Sequence, residues 1–115
     1  MPVIEAFTPR KLGNKPWGEE WLVAHTPHYT GKVMLMRAGG TGALQYHVQK
    51  DEAFYLFSGL ATVEYASEDG ELHQIEMSPG MAFHIPPGAV HRVEAITDSV
   101  FFEASTPHFD DRVKV

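Results

Sequence analysis

Gln45, His47, Glu52 and His91 are the residues whose types and spacing point to chemistry. Gln45 and His47 stand at i and i+2, so on an extended strand both side chains point to one face. A turn follows, and Glu52 opens the next strand beside them. The tight Pro86-Pro87-Gly88 turn then delivers His91 to the start of a further strand. Two imidazoles, one carboxylate and one amide oxygen converging inside a barrel make a site for one divalent metal ion, with zinc, iron, manganese and nickel all admissible. With a single carboxylate among neutral partners, a bound M²⁺ keeps a net positive charge. That favours water, hydroxide or an anionic oxygen in its open positions. Three further residues are candidates for catalysis. Lys50 lies two residues before Glu52, and His84 lies on the strand leading into the proline turn. Arg92, next to His91, is a candidate clamp for phosphate or carboxylate.

The segments that must position these residues read as strands, with almost no helical periodicity. Expected strands cover 32–37, 44–48, 53–57, 60–65, 71–77, 81–85, 90–96 and 99–104, eight or nine in all. Turn signals separate them, among them Gly39-Gly40, Ser58-Gly59, Asp69-Gly70 and Ser78-Pro79-Gly80. Asp69-Gly70 between two alternating stretches marks a hairpin. Phe54 and Leu56 are in phase with Glu52 and share its inward face, giving the site an apolar wall. Residues 1–16, with Pro2, Pro9 and Pro16, read as an extended arm, and the residues after Pro107 as a surface tail.

Composition narrows the class. The 115 residues suit one domain, 1–115, and 43% of them are apolar. Without cysteine there is neither a disulfide framework nor a thiolate nucleophile, which agrees with a reducing, cytoplasmic setting. A net charge of −6 without a basic cluster argues against nucleic acid as a partner. No apolar run approaches the 18 or so residues that span a bilayer, and the first residues lack the pattern of a signal peptide. These features predict a soluble protein with no membrane partner.

The stretch from Gly39 to Gly59, with Gln45, His47 and Glu52, and the stretch from Gly80 to Ala95, with Pro86, Gly88 and His91, resemble the two paired motifs of the cupin superfamily. Every spacing matches at 39–59 and 80–95. Gln45 stands where the first histidine is usual and Ala95 where the final asparagine is usual. The resemblance implies an all-β fold, a small double-stranded β-helix or jelly-roll barrel. The Gln-x-His pair, followed by Glu52 and His91, is similar to the zinc ligand set of phosphomannose isomerases. Lys15-Pro16-Trp17-Gly18, Leu44-Gln45-Tyr46-His47, Ile85 to Glu94 and Asp110-Asp111-Arg112-Val113 resemble segments of the type II isomerase domain. Lys50 before Glu52 resembles the lysine that lies beside the metal in type I enzymes.

Three functions are compatible with these features. The resemblance implies a metal-dependent isomerase or epimerase acting on a sugar or sugar phosphate, with Lys50, His84 or Glu52 as the base. The two-histidine, one-carboxylate set also suits a non-haem oxygenase acting on a small organic acid or aromatic molecule. A cupin that binds a small molecule without catalysis is the third. By analogy with small cupins the chain is expected to form a homodimer, with its N-terminal arm exchanged between subunits.

Overall fold

The structure is a computed structural model that describes residues 1–115. Alternating side chains build it from strands alone: β1 (Arg10–Lys15), β2 (Gly18–His25), β3 (Thr30–Met36), β4 (Gln45–His47), β5 (Glu52–Ser58), β6 (Ala61–Ala66), β7 (Leu72–Met77), β8 (Ala82–Ile85), β9 (His91–Ala95), β10 (Ser99–Ser105) and β11 (Arg112–Lys114). They form two antiparallel sheets, ordered β1-β2-β3-β10-β5-β8 and β11-β4-β9-β6-β7. No helix is long and apolar enough to cross a membrane.

All eight expected strands are present, their ends within two residues of the sequence reading. Three more were not foreseen. β1 occupies residues 10–15 of the expected arm and pairs with β2, so of the arm only 1–9 and the turn residue Pro16 lie outside a strand. β11 lies in the expected tail and pairs with β4. The tail is therefore part of the smaller sheet.

The motif glycines Gly39, Gly59, Gly80 and Gly88 all take positive φ at strand ends, where a side chain is strained. Gly59 is the tightest: a Cβ there would lie 2.4 Å from the Asp98 carbonyl oxygen.

The two inner faces divide the barrel into two ends. At one end Met36, Leu56, Ala61, Val63, Met77, Ala95 and Phe101 pack as an apolar core, with Trp17, Phe83 and Val93 against it. At the other end the buried side chains are polar: Lys32, His47, Lys50, Glu52, His91 and Glu103. Phe54 and Leu56 are buried in phase with Glu52, as their alternation predicts. Buried ionisable groups at this density must be paired or hold a cation.

Candidate metal centre

Strand β4 is only three residues long, yet its two neighbours fix it. β11 pairs along one side of it, and Gln45 meets His91 of β9 on the other. Gln45 and His47 therefore face inward beside His91, while Glu52 enters from the first position of β5 in the opposite sheet. Glu52 Oε1 lies 3.5 Å from His47 Nε2 and 3.4 Å from His91 Nε2. The ligating atoms of these three residues lie within 4.8 Å of one another.

The outer nitrogens of both imidazoles are already engaged. His91 Nδ1 donates to the Ala89 carbonyl oxygen at 2.9 Å, and His47 Nδ1 to Asp111 Oδ1 at 3.1 Å. A carbonyl or carboxylate only accepts, so Nδ1 of each ring carries a proton and Nε2 is the nitrogen turned inward, free to give its lone pair to a cation. Burial lowers the His47 pKa, and this outweighs the Glu52 charge that works to raise it. Burial would raise the Glu52 pKa, while the Lys50 ammonium 2.7 Å away works to lower it and favours the charged carboxylate. Two lone pairs and a carboxylate oxygen thus face one another in a buried space. The amide oxygen of Gln45 is also buried and has no hydrogen-bond partner. Four donor atoms without a proton among them suit a divalent cation, which cancels their mutual repulsion.

Lys50 is drawn into this cluster. Its Nζ lies 2.7 Å from Glu52 Oε2 and 3.0 Å from Glu103 Oε2, and the side chain is buried. Burial works to neutralise the ammonium, but the carboxylates of Glu103 and Glu52 prevail and hold its pKa above the usual lysine value.

Two of the candidate catalytic residues stand elsewhere. His84 pairs in register with Ala53, on the outward phase of β8. It is 66% exposed and its Nε2 meets Asp51 at 2.6 Å. The inward position on that strand belongs to Ile85, opposite Glu52. Arg92 follows the inward His91 and so points outward, where its guanidinium bonds the Glu64 carboxylate of β6. Neither is among the converging donors, although His84 lines an apolar cleft that reaches His91 and Arg92 borders a small cavity that reaches Gln45 and His91.

Two residues escaped the sequence reading. Asp111 accepts from His47 Nδ1 and also from the backbone N–H groups of Gln49 and Lys50, at 2.7 and 2.8 Å. It therefore orients one donor and closes the loop that carries Lys50. Only its place in the acidic Asp110-Asp111 pair drew notice. Glu103 shares a phase of β10 with Ser99, Phe101 and Ser105, and the opposite phase (Val100, Phe102, Ala104) is the more apolar. The period thus points to the wrong face as the inner one.

Solved structures share this fold. KdgF from Halomonas sp. superposes with a TM-score of 0.76 at 28% identity, covering 89% of this chain and 89% of that one. The capsular polysaccharide assembling protein CapF from Staphylococcus aureus gives 0.83 at 21% identity, over 96% of this chain. Oxalate decarboxylase from Bacillus subtilis gives 0.77 at 17% identity, over 93% of this chain. The chain spans about a third of the length of the CapF and decarboxylase chains. No protein of curated function matches it. The family model described as "Cupin domain" matches residues 32–100, from the third strand to the tenth. That span contains all four converging donors, and by it the chain belongs to the cupin domain family.

Proposed function

We propose that the protein is a metal-dependent enzyme in which Gln45, His47, Glu52 and His91 hold one divalent cation. The observation that carries this reading is the meeting of two bare imidazole nitrogens with a charged, buried carboxylate oxygen, none of which has a proton to share. A divalent ion bound there supplies Lewis acidity to an oxygen of a small-molecule substrate. Phe54 and the apolar core beneath keep that end of the barrel dry, which strengthens every charge interaction inside it. Lys50, held as an ammonium by Glu52 and Glu103, has a third N–H to offer and no lone pair. It therefore acts as a donor and not as a base.

Two chemistries fit this centre. Isomerisation of a sugar or sugar phosphate is supported by the Gln-x-His resemblance. It calls for a base and a phosphate clamp, and the outward positions of His84 and Arg92 do not help it. Oxygen chemistry on a small organic molecule is supported by the two-histidine, one-carboxylate set and by the apolar surroundings. The protein is further read as a homodimer.

Elemental analysis of the untagged protein tests the centre, beside the His47→Ala and His91→Ala variants. Near-stoichiometric metal that is lost in both variants is the expected result. No metal after reconstitution overturns the reading. Zinc supports isomerisation, and iron supports oxygen chemistry.

A further inference from the structure

The barrel is not closed all round. β7 ends one sheet and β8 ends the other, and the two strands do not pair with each other. A cleft of about 270 Å³ lies against these two strands. Its walls are mostly apolar, among them Val63, Ile75, Phe83, Ile85 and Val90, and the polar side chains of Tyr65, His84 and His91 complete its lining. The register of the smaller sheet shows how the cleft relates to the donors. His73, Tyr65, His91 and Gln45 stand side by side on four adjacent strands, in one inward row. Ile75 and Val63 stand side by side in the next row. The cleft therefore lies along the sheet beside Tyr65 and His91, with His73 next in the same row.

We infer that this cleft binds the body of the substrate, and that the substrate is a small aromatic carboxylic or 2-oxo acid whose oxygens face the metal centre. The inference rests on the proposed metal function.

Three observations select this chemistry. The first is the apolar wall: a sugar's several hydroxyls placed there lose water and find only Tyr65 and His84 beside His91 as polar side chains. The second concerns the cations. Arg92 is bonded to Glu64 on the outer face, and Lys50 lies between two carboxylates. A phosphate dianion in the cleft would meet no free positive side chain from either of them. Third, the inner end takes an oxygen ligand: Glu52, Glu103 and Asp111 balance Lys50 and a divalent ion, and the open positions of that ion would be left to a carboxylate or keto oxygen. The volume also agrees, since a cavity of about 150 Å³ holds benzene. The cleft thus accommodates one ring with a short side chain.

Calorimetric titration of the metal-loaded full chain tests the assignment, with phenylpyruvate, pyruvate and mannose 6-phosphate as probes. Phenylpyruvate should bind at least tenfold more tightly than either of the others. Ile75→Trp, which fills the cleft, should weaken phenylpyruvate at least tenfold and leave pyruvate and metal content unchanged. Val90→Phe makes the same test if Ile75→Trp does not fold. Equal affinity for phenylpyruvate and pyruvate, or tighter binding of mannose 6-phosphate, overturns the inference. If the protein takes up no metal, the functional reading fails by itself. Benzyl alcohol then decides the cleft: saturable methyl shifts at Val63 and Ile75, abolished by Ile75→Trp, support it, and their absence overturns it.

Discussion

Asp111 illustrates how much of a metal site lies outside its donors. Its carboxylate takes the Nδ1 proton of His47 and two backbone N–H groups of the following loop, and so sets both the tautomer of one donor and the path to Lys50. Outer partners of this kind typically change metal affinity 10- to 100-fold. Asp111→Asn should therefore weaken binding by about that factor with the barrel still folded, as chelator competition would measure. An unchanged affinity would leave Asp111 only a structural part. Lys50 makes a different prediction, because its two partners are buried carboxylates. Lys50→Met leaves them uncompensated and should cost about 3–5 kcal/mol in the metal-free protein. A divalent ion beside Glu52 replaces part of the lost charge. The loss measured by denaturant titration should accordingly be smaller with metal than without.

At the scale of elements, the glycines of the two motifs are turn residues before they are anything else. Gly59→Ala forces a side chain into the left-handed region and against the Asp98 carbonyl and Ser99. We expect a loss of about 2–4 kcal/mol by the same titration, most of it from crowding. Gly70→Ala has similar φ but open space around it and should cost about 1 kcal/mol. This contrast separates crowding from dihedral strain. The same devices made most of the barrel legible in the sequence: strand alternation, Asp-Gly and Pro-Gly turns, and i, i+2 donors required no tertiary knowledge. What escaped had physical reasons. β1 reads Arg-Lys-Leu-Gly-Asn-Lys, a sheet edge with no apolar alternation, and β11 is three exposed residues held in place only by pairing. His84 and Arg92 were displaced by phase. Each adjoins an inward residue, and a one-residue step on a strand exchanges the cavity for the outer surface.

For the whole molecule the feature that stands out is the outer face of the larger sheet, which is apolar and exposed. Antiparallel sheets that face water carry polar residues there. The outward positions of β3, β10 and β5 read Gly31, Val33, Leu35; Val100, Phe102, Ala104; and Ala53, Tyr55, Phe57, with no charge among them. Phe57 is 68% exposed, and Leu35, Tyr55 and Phe102 are exposed beside it. A contiguous apolar face of this kind needs a cover, and a second copy with the same uncharged face is complementary to it. Three strands about 4.8 Å apart and about 24 Å long offer roughly 350 Å², short of the roughly 800 Å² per partner of a stable interface. The exposed arm, residues 1–9 with Val3, Ile4 and Phe7, can supply the difference by lying on the partner. Sedimentation should then give a particle of about twice the 12.8 kDa chain mass. Phe57→Arg should reduce it to the monomer, and removal of residues 1–9 should weaken the dimer at least tenfold while β1 keeps its pairing. A wild-type monomer at 100 µM (on the order of a thousand times the Kd expected of an interface this size) would refute the pairing and leave the metal centre untouched.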